Sequence, residues 1–214
     1  MEKVSEEQSE QRSRASQKKK KEEITEKLVQ WREKINKNNL TVFLVDECHL
    51  LWGDICGYIW GKTSERIEVP MTNQKQKQTY YGALNYQTKK FLLKAYDQAD
   101  SEQTVNFVKY LMKQCPGQQI VLIWDGASYH KYKHMKAYLE QVNGGLPTQS
   151  WLVTCIVLAP NAPEQNPVED IWLQGKNELR NKYYLCNSFK KVKELFVKAI
   201  EEKYYTFPKV YQYG

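Results

Sequence analysis

No stretch of this sequence comes near the roughly 20 apolar residues that a membrane span needs. The N-terminus is charged and polar, which does not suit a secretory signal. Both absences point to a soluble, cytosolic protein. The five cysteines, Cys48, Cys56, Cys115, Cys155 and Cys186, include no Cys-x-x-Cys pair, and their number is odd. That argues against a disulfide framework and against a zinc ribbon, and the thiols read as reduced, mostly buried small apolar residues. Negative charge is in the minority: 25 Asp or Glu face 32 Lys or Arg, for a net charge of +7 and a pI of about 9.0. A basic balance suits a polyanionic partner, because each neutralised phosphate releases counterions. Charge alone does not separate nucleic-acid binders from other basic proteins.

Hydrophobic residues, at 41%, suffice for a sizeable core in a chain of 214. They are unevenly spread. Residues 1–39 hold 11 Lys or Arg and 8 Asp or Glu, with no aromatic before Trp31. The run Lys18-Lys19-Lys20-Lys21 lies in their middle, either a solvated charge cluster or a phosphate-contacting arm. This segment is expected to be a flexible or helical lead-in outside the core. A domain over residues 40–205 and a tail over 206–214 complete the expected organisation.

From Thr41 the pattern changes. Thr41-Val42-Phe43-Leu44-Val45 is a continuous apolar run, as in a strand buried on both faces, and it is expected to end at Asp46-Glu47. Short segments at 58–60, 66–70, 80–84 and 90–96 predict an antiparallel meander. Asp100-Ser101 opens a helix whose buried face carries Val105, Val108, Leu111 and Met112, and Pro116-Gly117 ends it. Ile120–Trp124 and Trp151–Leu158 predict two more buried strands. Helices are expected from Tyr132 to Val142, from Pro167 to about Lys182, and from Ser188 onward. Strands alternating with helices imply a central sheet covered by helices.

Three carboxylates share one kind of position. Asp46 follows the first buried strand, Asp125 follows the second, and Glu169 follows the third after a proline-rich loop. In open sheets, ligand sites lie beyond the carboxyl ends of the strands. Carboxylates gathered there repel one another unless a cation intervenes, and oxygen ligands select hard ions such as Mg²⁺ or Mn²⁺. Two such ions about 3.5–4 Å apart can clamp both oxygens of an in-line phosphoryl displacement. Each acid also has an ordinary alternative: a lone Asp after a strand is usually a turn residue or cap. Asn166-Pro167-Val168-Glu169 reads equally as a capping box. Within Trp124–His130, Gly126 and Ala127 are small enough for close substrate approach, while Ser128 and His130 could contact a phosphate.

Three blocks carry a resemblance. They are Leu44-Val45-Asp46-Glu47, Trp124-Asp125-Gly126-Ala127-Ser128-Tyr129-His130, and the stretch from Pro160 through Glu164-Gln165-Asn166-Pro167-Val168-Glu169 to Trp172. In this order, each at an expected strand end, they resemble the mariner-like DDE transposases, most closely the bacterial insertion-sequence branch known as the insertion sequence six-thirty family. The resemblance spans roughly Thr41 to Ile200. It implies a ribonuclease H-like α/β fold, a mixed sheet with helices on both faces, and Asp46, Asp125 and Glu169 as ligands of two Mg²⁺ ions, with Mn²⁺ as a substitute. It further implies metal-dependent cleavage of DNA and attack of the freed 3′-hydroxyl on a target. The partners it implies are double-stranded DNA at the element ends and target, and a dimer on that DNA, in the cytoplasm and associated with the nucleoid. Basic stretches supply DNA-contact candidates: Lys62, Arg66, Lys75, Lys77, Lys176 and Arg180, together with Ser128, His130 and Asn166.

Two departures stand out. Family members carry an N-terminal pair of helix-turn-helix modules, and residues 1–40 show no compact apolar pattern of that kind. A separate helix-turn-helix subunit from an upstream reading frame would fill the gap. Gln165 replaces the apolar residue usual before Asn-Pro. A catalytically idle remnant that binds DNA or a full-length transposase, and a host nuclease of the same fold, are the competing readings.

Overall fold

A computed structural model of the chain describes residues 2–56, 61–64, 75–126, 133–160 and 162–213, with side chains from residue 14 onward, Pro163 apart. The segments expected as strands at 58–60 and 66–70 lie outside the described residues. Five strands form one mixed sheet: β1 (Leu40–Leu51), β2 (Lys77–Asn85), β3 (Phe91–Tyr96), β4 (Gln119–Trp124) and β5 (Val153–Val157), in the order β3-β2-β1-β4-β5. β1, β2 and β3 pair antiparallel; β4 and β5 run parallel to β1.

The period-two geometry of the strands splits the core into two layers. Val42, Leu44, Val121 and Ile123 face helices α1 (Glu2–Asn36), α4 (Val168–Asn181) and α5 (Phe189–Ile200). Phe43, Val45, Ile120 and Leu122 face α2 (Ser101–Gln114) and α3 (Lys133–Asn143). This is the expected ribonuclease H-like arrangement, a mixed sheet with helices on both faces. Two helix starts are capped by the residues that announce them: Asp100 accepts from the Gln103 N–H at 2.8 Å, and the Ser188 hydroxyl accepts from the Lys191 N–H at 3.2 Å. All five cysteines are free, and Cys48, Cys115 and Cys186 are buried.

Two expectations need correction. First, β1 does not end at Asp46 but continues to Leu51, because β2 keeps pairing with it as far as Leu51↔Lys77. Second, the lead-in does not stay outside the core. α1 buries Ile24, Leu28 and Ile35 under the sheet. In the C-terminal tail, a short 3-10 turn at Pro208–Tyr211 seats Val210 and Tyr213, both buried, in the same layer. Among the described residues, no helix is long and apolar enough to cross a membrane.

Candidate active site

The parallel pairing of β1 with β4 stops at Leu44↔Ile123. Continued by two residues, that register sets Asp46 beside Asp125. Asp46, within β1, and Asp125, one residue past the end of β4, therefore stand at about the same level. Asp46 is half-buried, since β2 still flanks it on the other side, whereas Asp125 is exposed.

Glu169 arrives from the loop after β5. Asn166 fixes that loop: its Nδ2 donates to the Val45 carbonyl at 3.0 Å and its Oδ1 accepts from the Val168 N–H at 3.2 Å. The expected capping box is not formed. Pro167, in the helical region, is the residue that caps α4, and Glu169 stands exposed at the helix's second position. One turn on, on the same helix face, the Trp172 indole N–H donates to Asp46 Oδ2 at 2.9 Å. The helix of the third acid is thus bonded directly to the first.

That bond depends on a glycine. Gly82 is the β2 partner of Asp46. A Cβ there would stand 2.6 Å from Cη2 and Cζ2 of Trp172 and 2.4 Å from Cζ of Phe91. The missing side chain lets the indole approach the strand closely. Phe91 packs edge-on against the indole and Phe196 stacks on it.

The electrostatics follow from this gathering. Burial, then the charges of Glu169 and Asp125, push the Asp46 carboxyl up to about 7, against the lowering effect of the Trp172 bond. The Glu169 carboxyl is also raised, by burial first; Lys209 opposes this, while Asp170, Asp125 and Glu164 add to it. As the side chains stand, no three carboxylate, imidazole or thiolate groups among the described residues converge closely enough to hold one ion. The three acids do stand near enough for the charges of Glu169 and Asp125 to act on Asp46, and their donor atoms are all oxygen. Such a set fits a hard divalent cation, which takes oxygen ligands and relieves the repulsion that raises Asp46.

A family model described as DDE superfamily endonuclease matches residues 41–195, well over half of the chain. This chain belongs to the DDE superfamily endonuclease family. No curated protein matches the sequence. Among solved structures, the DDE domain is similar to the Mos1 transposase paired-end complex with left transposon end, at 12% identity over 94% of this chain and 58% of that one, with a TM-score of 0.55. It is also similar to the Mos1 mariner paired-end complex with Mn, at 14% identity, 94% and 57% coverage, and a TM-score of 0.53. The HTLV-2 integrase catalytic core domain in complex with magnesium matches at 12% identity, 73% and 83% coverage, and a TM-score of 0.42. The chain spans somewhat over half the length of the Mos1 chains it matches.

The other expected site residues of the DDE domain are scattered. Lys62, Lys75 and Lys77 are exposed. Lys176 is half-buried in an ion pair with Asp54 at 3.3 Å, and Arg180 donates to Asn177 at 2.8 Å. Asn166, expected at the DNA surface, is instead buried with both ends of its amide engaged within the chain, and its place is structural. Arg66, Ser128 and His130 lie outside the described residues. Reading the sequence missed Trp172, Gly82 and Lys209. For Trp172 the available signal was its spacing of three from Glu169; for Gly82 it was a glycine inside an apolar strand. Lys209 lies outside the matched motifs, and only tertiary packing brings it to Asp170, at 3.0 Å.

Proposed function

We propose that this DDE domain is the catalytic subunit of a DNA transposase, with Asp46, Asp125 and Glu169 as the ligands of two Mg²⁺ ions for which Mn²⁺ can substitute. The observation that carries the reading is the tie between the three acids: Asp46 in β1 and Asp125 just past the end of β4, each two residues beyond the last paired positions Leu44 and Ile123, and Glu169 on the helix whose Trp172 bonds Asp46. Bound there, divalent ions would supply Lewis acidity, activating water and neutralising charge on the phosphate. The chain's own part is positional. Trp172 holds one oxygen of Asp46 and orients the other. Glu169, exposed in the first turn of α4, can rotate toward the two aspartates. The N-terminal end of α4 favours its negative charge. No protein nucleophile is needed, because the attacking groups are water and then a DNA 3′-hydroxyl.

The context follows the family resemblance. Double-stranded DNA, at element ends and target, is the substrate. The protein acts as a dimer on DNA, in the bacterial cytoplasm and associated with the nucleoid, as part of an insertion sequence of the six-thirty family. A separate helix-turn-helix subunit selects the ends.

The test is a strand-transfer assay on pre-cut ends with Mn²⁺ or Mg²⁺. Activity that disappears in a folded Asp125→Asn variant supports the proposal. Cleavage without joining would move the chain to the nucleases, and inactivity under every condition would make it an idle remnant. A second measurement addresses Trp172. Trp172→Phe keeps most of the ring and removes the N–H. Mn²⁺ affinity by calorimetry is expected to fall on the order of 10–100-fold, the usual effect of losing a group that orients a metal ligand. An unchanged affinity would mean that Asp46 needs no such support.

A further inference from the structure

The lysine run has a definite address. α1 crosses the sheet antiparallel to β1. At its C-terminal end, Lys34 Nζ bonds Gln119 Oε1 at 3.0 Å, beside the start of β4. Toward its N-terminal end, the Gln17 carbonyl accepts from Gln165 Nε2 at 2.9 Å. Gln165 adjoins Asn166, which holds the loop of the third acid to Val45. The helix therefore brings Lys18–Lys21 to the edge of the sheet where Asp46, Asp125 and Glu169 stand.

Several observations make this a built position. Ile24 and Leu28, three and seven residues after the run, are buried. Lys21 Nζ lies 5.9 Å from the centre of the Tyr213 ring, and the Tyr213 hydroxyl donates to the Gln165 carbonyl at 2.8 Å. Residues 11–21 contain Arg12, Arg14 and the four lysines, with no acid. Lys20 pairs with Glu23 at 3.3 Å, and among the described residues Lys18, Lys19 and Lys21 are in no ion pair. With 1.5 Å of rise per residue, residues 2–16 carry the helix roughly 22 Å past the Gln17 contact.

We propose that the segment around Lys18–Lys21 of α1 is a duplex-binding arm that grips the phosphate backbone of DNA next to the acidic cluster. The inference rests on the reading of the chain as a DNA-acting DDE enzyme and names a surface outside the motifs of that reading. A plain solvated helix face would put its charges anywhere around the domain. Here the acid-free stretch coincides with the catalytic edge, and the acids Glu22, Glu23 and Glu26 resume where the helix turns to packing. A duplex carries one phosphate charge per about 1.7 Å of its axis, both strands counted, and Lys18 and Lys21, one turn apart on α1, share a helix face toward it.

The test is fluorescence anisotropy of a labelled 30-base-pair duplex with the full chain in EDTA, from 50 to 300 mM NaCl. Lys18→Gln/Lys19→Gln/Lys21→Gln is compared with Lys37→Gln/Lys113→Gln/Lys198→Gln, which removes equal charge at the C-terminal ends of α1, α2 and α5, toward the opposite edge of the sheet. The arm variant is expected to bind at least about tenfold more weakly at 100 mM salt, and its salt slope to shrink by roughly 0.9 for each lysine in contact. The comparison variant should stay within about twofold of wild type, and circular dichroism should match for all three. Equal losses in both variants, or no duplex binding by the wild-type chain, overturn the arm. Arm-dependent binding in a protein that never cleaves or joins DNA leaves the arm standing and removes the catalytic reading instead.

Discussion

Asp46→Asn is expected to abolish strand cleavage and, in the absence of metal, to make the protein more stable. Loss of a ligand removes several kcal/mol of transition-state stabilisation, a rate decrease on the order of 10³ or more. The stability gain comes from the same charge. Burial and the carboxylates of Glu169 and Asp125 carry the Asp46 carboxyl from 3.8 to about 7. The folded state then binds this proton more tightly than the unfolded state. Stability is therefore retained below about pH 4 and lost as pH rises through 7. At 1.36 kcal/mol per tenfold, the ionised carboxylate costs the metal-free fold up to about 4 kcal/mol. Asparagine removes the charge, and its amide oxygen still accepts from Trp172. Thermal melts in EDTA between pH 4 and 8 should fall for wild type and run flatter for the variant. Parallel curves, or a variant less stable at pH 8, would contradict the crowding of negative charge around Asp46. Added Mg²⁺ should narrow the gap by stabilising wild type alone.

Gly82→Ala is expected to be costly for a substitution of one methyl group. The new Cβ would meet Phe91 and Trp172 at 2.4 and 2.6 Å. Neither ring has room to retreat, since each packs against the other and Trp172 stacks on Phe196. Overpacking of this kind destabilises by about 1–3 kcal/mol. Relief by tilting the indole would break its bond to Asp46, so Mn²⁺ affinity should drop along with stability. Urea unfolding and calorimetry read the two effects. A double-mutant cycle with Trp172→Phe, which removes the two clashing indole atoms, should give losses that are less than additive. Stability within about 0.5 kcal/mol of wild type would show that the indole is not confined.

The parts of this architecture that sequence could announce are those set by short-range physics. β4 shows as a run of apolar residues buried on both faces. α2 and α5 show through periodic apolar positions behind Asp100 and Ser188, whose side chains cap them. The three acids stood out because each follows a buried strand. What escaped depends on partners distant in the chain. β1 outruns Asp46 only because β2 continues beside it, and Val45-Asp46-Glu47 gives no local hint of that. α1 carries Ile24, Leu28, Trp31 and Ile35 at spacings of four, three and four, a helical stripe masked by the charges around it. The indole over Asp46 required Gly82, 90 residues away in sequence, to lack a side chain.

The parting of β1 and β4 has a consequence for how the fold can be exchanged piecemeal. The Asn39 carbonyl serves β4 through Gln119, and the Val42 carbonyl serves the other neighbour through Tyr86. By that alternation the Val45 oxygen looks toward β4, at a level where β4 offers it nothing. The Asn166 amide takes the vacated role, so a side chain completes a ladder that the backbone leaves open. Any chimera that swaps the stretch before α4 must bring a donor at that point, or it strands a buried carbonyl and unhooks the third acid's helix in one step. The two pieces are interchangeable only as a matched set.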